Sequence, residues 1–418
     1  MPATTSYDVD LLVELAIARP ADAGLWGHGL WDVACWGDSD TPTGDWIDVT
    51  CDVLDSLRLT AGSNTSDGVT RRWESASASF VLAGAQWDPW NGPYTEVLGD
   101  RTPVRVSWRP TGSGPWGRAF TGFIATRGYN WRPGDVEADV ACVDGTSILV
   151  ASDALAQAPA GAGELASARV RRIAETALWP GGYDIAAGGT ALQATTLDDP
   201  AWDELLAVAD TDLAIMWVRR DGRLGYLPRG RVTPPAPWVT IAVCEDPGEV
   251  GAMTLGLAQP SVTRNRVAIA RRADPTVAGD TPVPAQLEDR ESIARYQAHD
   301  YKRTDLWNVA DSWSAIVAQA VMGAGAWPSP APGELLLDSD VDDPLIAWVL
   351  LGVEPNLSVD VVDLDGTVWR EAVVGWDVQV THDNLSGVLH VEDVTRWTAV
   401  GKWGTAVWGV SRWGIGGI

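Results

Sequence analysis

Lysine is nearly missing from this sequence: Lys302 and Lys402 are the only two in 418 residues. With 30 basic residues against 56 acidic ones the net charge is −26, which argues against a surface that grips nucleic acid, because phosphate contacts need positive charge. Cysteine is scarce too. Cys35, Cys51, Cys142 and Cys244 are scattered without a Cys-x-x-Cys pair, and only four histidines accompany them. Neither a disulfide framework nor a zinc site is therefore expected. No run approaches the roughly 20 apolar residues of a membrane-spanning helix. The opening carries Asp8, Asp10 and Glu14 without a basic cluster, unlike a signal or transit peptide, so folding in a cytoplasm is expected.

Catalytic signatures are equally thin. There is no Gly-x-Ser-x-Gly, no His-Glu-x-x-His and no P-loop. His28, His299, His382 and His390 fall in different blocks, away from any nucleophile elbow, and read as surface or structural residues. Asp338, Asp340, Asp342 and Asp343 are the densest acidic cluster, but they lack the glycine and distal glutamate of a calcium loop. A solvated turn before Pro344 is the preferred reading, and no catalytic residue, metal or cofactor is expected.

Tryptophan is what the chain has in excess: 24 residues, against three phenylalanines. Such a load suits buried anchors, interfaces or carbohydrate platforms, and composition does not choose among them. Trp26, Trp31 and Trp36 are spaced by five, and so are Trp403, Trp408 and Trp413, with Trp-Gly pairs in both sets. Five matches neither the helical nor the strand period. These six are read as candidate partner-docking residues on irregular arms; packing on their own domain is the alternative.

Hydrophobic patterning divides the rest. Residues 104–108 and 136–142 alternate apolar and polar, and 75–82 and 120–124 are further strand candidates. Asp67-Gly68, Asp88-Pro89, Asn91-Gly92-Pro93 and Pro133-Gly134-Asp135 supply the turns between them. Beyond an Ala/Pro/Gly linker at 156–163 the period changes to helical at Val170, Ile173, Ala174, Ala177 and Leu178. A second helix is expected with Asp199 as cap and Pro200 in the first turn. Asp221-Gly222 between two apolar runs predicts a hairpin. The last third predicts strands at 266–270, 357–363, 373–380 and 388–394 around one helix at 304–323. The expected fold class is mainly β with an α+β insert, in several domains as befits the length. They are a Trp-Gly-rich segment at 1–44, a β-barrel at 45–152, a small α+β domain at 153–258, a second β-barrel region at 259–396 and a Trp-Gly arm at 397–418.

Several runs carry a family likeness. They are Ser75-Ala76-Ser77-Ala78-Ser79-Phe80-Val81-Leu82, Trp87-Asp88-Pro89-Trp90-Asn91, 98–106, Phe120-Thr121-Gly122-Phe123-Ile124 and Trp131. Further on come 217–224, Arg264-Asn265-Arg266-Val267 and Ser292-Ile293-Ala294-Arg295-Tyr296. In order and spacing these resemble minor tail proteins of actinobacterial siphophages, over roughly residues 45 to 395. The resemblance implies a baseplate hub, or tail-tip protein, in the virion, with two tail-tube-like β-barrels and a small α+β domain per chain. It implies a homotrimer whose six barrels match a sixfold tube to a threefold tip. The implied partners are a distal tail ring protein, a tape-measure protein and tail-tip or fibre proteins. Genomic DNA would pass through without specific binding, as an acidic wall allows. The resemblance implies a structural protein rather than an enzyme. A Trp-rich adhesion protein that stacks host sugars is the alternative, and a wall hydrolase using a carboxylate pair is the third reading.

Overall fold

The computed structural model describes residues 9–17, 45–64, 72–94, 101–112, 114–132, 135–153, 155, 157–229, 237–242, 252–257, 263–327, 332–338, 344–364, 366–381 and 384–393. The fold is mainly β and multidomain, as the patterning predicts.

The first β unit comprises β1 (Val9–Ile17), β2 (Asp45–Asp48), β3 (Val53–Asn64), β4 (Arg72–Trp73), β5 (Ser77–Ala83), β6 (Pro103–Pro110), β7 (Gly117–Arg132) and β8 (Asp135–Val143). Alternation sends Ala78, Phe80 and Leu82 of β5, Val104 and Val106 of β6 and Val136, Ala138, Val140 and Cys142 of β8 into one core. The ladder runs β2-β1-β6-β7-β8-β5-β3, antiparallel throughout. It closes into a barrel because β2 and β3 are one strand bent at the 3-10 turn Thr50–Asp52. There Thr50 Oγ1 accepts from Val13 N (2.9 Å) and Val49 N donates to Val13 O (2.9 Å). A short helix, α1 (Thr146–Val150), leaves the barrel.

The middle unit holds β9 (Gln157–Ala160), β10 (Glu164–Leu165), α2 (Ala166–Thr176), β11 (Tyr183–Ile185), β12 (Ala191–Leu192), β13 (Thr195–Leu197), α3 (Ala201–Asp212), β14 (Ile215–Val218) and β15 (Leu224–Leu227). Val170, Ile173 and Ala174 bury the α2 stripe against Leu205, Val208 and Ala209 of α3. The α3 start differs from the expectation: Asp199 is not the cap. Pro200 occupies the cap position, and Glu204 folds back so that its Oε1 accepts the Asp199 N–H (3.0 Å). Because Pro200 has no side-chain acceptor, the carboxylate one turn on satisfies a backbone donor instead. The Asp221-Gly222 hairpin forms as expected, β14 pairing β15 with Gly222 at φ 86°.

Next come β16 (Val239–Ala242), β17 (Ala252–Leu257), β18 (Arg266–Arg271), β19 (Ala285–Glu288), α4 (Arg290–Tyr296), β20 (Asp300–Leu306) and α5 (Asp311–Gly325). The single helix expected at 304–323 is thus corrected to start at Asp311. Residues 300–306 are drawn into a parallel pairing with β18, and Trp307 N is held by Thr211 Oγ1 (3.0 Å), so the helix begins only at Asp311. Strands β18 to β20 and helix α5 enclose their own small core of Val267, Ile269, Tyr301, Leu306, Val317 and Val321.

The last unit is β21 (Pro332–Asp338), α6 (Pro344–Gly352), β22 (Ser358–Val362), β23 (Val368–Thr381) and β24 (Leu385–Asp393). Its ladder runs β16-β22-β23-β24-β21-β17. This repeats the first barrel's order β6-β7-β8-β5-β3 strand for strand, with β22, β23, β24, β21 and β17 in the corresponding places. The repeat extends to irregularities. The bulge of β7 falls between Ile124 and Thr126, one residue after the last pair with β6, Phe123↔Pro103. The bulge of β23 falls between Val373 and Gly375, one residue after its last pair with β22, Ala372↔Ser358. Bulges occupy defined positions in a fold, so a shared one marks equivalence. Among the described residues no helix is long and apolar enough to cross a membrane.

Candidate functional site

The two β units meet along one seam. Strand β23 has 14 residues, and β22 covers one edge only as far as Ala372. From Gly375 to Thr381 that edge pairs instead with β3 of the first unit, in the register Gly375↔Gly62 to Thr381↔Ser56. A Cβ on Gly375 would lie 2.8 Å from the Gly62 Cα, so the close approach there requires glycine. Arg58 and Asp377 close the solvent side of the seam as a forked ion pair, with Nε donating to Oδ1 at 3.0 Å. The hydrophobic core runs through it: Leu57, Leu59, Trp376 and Val378 belong to the same cluster as Phe80 and Leu389.

The middle unit bolts this seam. Arg220, in the hairpin tip, is buried and donates to the carbonyls of Leu350 (2.9 Å), Leu351 (3.0 Å) and Val353 (2.7 Å) at the C-terminal end of α6. It also reaches Ala119 O on β7 (3.2 Å), and its guanidinium lies 4.1 Å from the Trp376 ring centre. A cation at a helix C-terminus satisfies orphan carbonyls and complements the dipole. Burial still lowers its pKa to about 10. Glu354 accepts from Trp217 Nε1 (3.2 Å) and Arg220 N (3.3 Å); burial raises its pKa, opposed by Arg219 and Arg220. A second bolt is Asp210 of α3, which pairs with Arg72 of the first unit (2.7 Å) and Arg303 of β20 (3.2 Å).

Beside the seam Asp144 is buried, accepting from Ser75 Oγ (2.7 Å), Ala76 N (2.9 Å) and Thr146 N (2.9 Å). Burial raises its pKa to about 6 against those three bonds. A small cavity between Asp144, Thr60, Thr121, Arg219 and Trp376 is too narrow for an organic substrate. The arrangement joins parts of the chain.

The six candidate docking tryptophans, Trp26, Trp31, Trp36, Trp403, Trp408 and Trp413, lie outside the described residues, as do His28, His382, Asp340, Asp342 and Asp343. Asp338 ends β21, and among the described residues no cluster of three His, Cys, Asp or Glu could hold a metal. His299 contacts the Tyr296 carbonyl (3.0 Å), and His390 faces Glu334 (3.5 Å). Of the described indoles, Trp73, Trp87, Trp108, Trp179, Trp202, Trp217, Trp307 and Trp376 are buried. Trp348 stacks on Trp238 (4.1 Å), and Arg109 lies over Trp116 (4.5 Å). Trp90, Trp116 and Trp348 are exposed, so the described indoles divide between buried anchors and surface positions. Sequence reasoning found the hairpin but missed Arg220, since an arginine beside a turn carries no signal until the carbonyls it serves are in place.

A mainly-β, multidomain tail-protein fold is what this architecture defines. The tail protein from Neisseria meningitidis MC58 is similar to the chain with a TM-score of 0.60 at 13% identity, covering 94% of this chain and 98% of that one. The 43 kDa tail protein of prophage MuSo2 from Shewanella oneidensis gives 0.57 at 13% identity, covering 92% and 98%. The likeness is one of fold along nearly the whole chain. No family model matches the sequence, and no curated protein matches it.

Proposed function

We propose that the chain is a structural hub at the tip of a phage tail. Three copies form a ring of six β units, matching the sixfold tube on one side to a threefold tip on the other. The observation that carries this reading is the internal repeat: two β units with one pairing order and one bulge position, fused edge to edge by β3 and β23. Three such chains make six near-equivalent positions, which a chain with a single unit would need six copies to supply. The tail-protein fold shared over nearly the whole chain supports it.

In this reading the ring surrounds the path of the genomic DNA, and the net charge of −26 keeps the wall from holding the DNA as it passes. The distal tail ring and tape-measure proteins contact one face, and tail-tip or fibre proteins the other. The Trp-Gly stretches at 18–44 and 397–418 dock those partners by placing indoles in their pockets. The units depart from the expected boundaries 45–152, 153–258 and 259–396, since β1 belongs to the first and β16 and β17 to the last, and the chain has no catalytic role. Sedimentation equilibrium of the purified chain tests this: a trimer mass that grows with concentration is expected, and a stable dimer or tetramer would refute it.

A further inference from the structure

We infer that the β3–β23 seam recurs between chains, with β17 of one copy pairing antiparallel to residues 128–132 of β7 in the next. This rests on the hub reading and specifies the surface that closes its ring.

Equivalent positions of the two β units set the register. In the first unit a row of paired residues crosses the sheet as Arg58–Ser79–Ala141–Thr126. In the second the corresponding row is Gly256–Glu334–His390–Gly375. Gly256 therefore stands where Arg58 stands, and Gly375 where Thr126 stands. Within one chain Arg58 pairs across the seam with Gln379, four residues beyond Gly375. Four residues beyond Thr126 is Asn130. The same seam between two chains thus sets Gly256 opposite Asn130, Leu255 opposite Trp131 and Leu257 opposite Tyr129.

Among the described residues both edges lack a partner strand. β6 leaves β7 after Phe123, and among the described residues no strand pairs with the outer edge of 128–132. β17 is paired only along its β21 edge among the described residues. The contact is continuous with the existing seam, since both edges belong to the sheet that β3 and β23 join. A second copy also resolves the hazard of two open edges, because a closed ring leaves none.

The test is crosslinking in register. In a background with Cys35, Cys51 and Cys244 replaced by serine, Gly256→Cys chains are mixed with Asn130→Cys chains and oxidised. Directly opposed residues lie about 4.5–5.5 Å apart, within disulfide reach. The expected result is a shift from one-chain to two-chain mass on a non-reducing gel, with the 256–130 peptide pair found by mass spectrometry. Arg58→Cys with Gln379→Cys in one chain is the positive control, and Gly128→Cys replacing Asn130→Cys, two residues out of register, should not crosslink. Sedimentation trimers that never crosslink at 256–130 overturn this seam and leave the hub reading standing. Chains that stay monomeric at every concentration overturn both.

Discussion

Arg220 lies over Trp376 with its guanidinium carbon 4.1 Å from the ring centre, and it joins three parts of the chain through that one side chain. Its four carbonyl partners come from β7 and from the end of α6. Replacing Arg220 by methionine leaves those carbonyls buried without donors, and a loss of about 3–5 kcal/mol is expected. Arg220→Lys should recover less than half of it, because an ammonium cannot fan out to four acceptors. Urea unfolding of the three proteins checks this, and equal midpoints for native and Arg220→Met chains would contradict it.

The seam predicts an asymmetry between two facing glycines. A Cβ on Gly375 would meet the Gly62 Cα at 2.8 Å and the Ala61 carbonyl at 2.9 Å, whereas one on Gly62 would meet the Gly375 Cα at an ordinary 3.6 Å. Gly375→Ala should destabilise by about 1–3 kcal/mol as backbone shifts apart. Gly62→Ala should cost less than about 1 kcal/mol. Thermal unfolding of both variants decides it: equal losses would show that the two strands do not approach as described.

Asp144 gives a pH dependence of definite sign. Its folded pKa of about 6 stands above the ordinary 3.8, so the fold favours the protonated form. The stability this contributes is present below about pH 4 and lost as pH rises through 6, roughly 3 kcal/mol in all. Asp144→Asn is neutral throughout. The native-minus-variant stability should therefore fall by about 2 kcal/mol from pH 4 to pH 6, and a flat difference would count against the buried carboxylate.

Docking by the arms makes the tryptophans there matter to partners and not to the fold. Replacing Trp403, Trp408 and Trp413 by alanine should leave the unfolding midpoint unchanged while weakening capture of a tail-tip or fibre partner by more than about tenfold. A lowered midpoint with capture intact would mean that these indoles pack on their own chain.

Much of the fold could be read from local pattern. Strands such as β6 and β8 bury one face, so alternation is visible in Val104 and Val106 and again in Val136, Ala138 and Val140. The hairpin at Asp221-Gly222 and most of the α2 stripe were legible for the same reason, but Leu178, expected on that stripe, lies past the end of α2 at φ 55° and is exposed. Helix α6 was not: nine residues, nearly all apolar, give no stripe, since Ile346, Ala347, Val349, Leu350 and Leu351 are all buried. Residues 304–306 read as the start of a helix, because β18, paired with this stretch from far earlier in the chain, decides their conformation. The joints were least legible. Arg58 and Asp377 are 319 residues apart, and nothing near either one announces the other.

The central claim is a threefold ring of six β units. Class averages of the concentrated, purified chain in negative stain test it most directly. The account predicts rings with threefold symmetry, six peripheral lobes and an open centre. Averages showing only closed dimers, or elongated particles without a central opening, would contradict it.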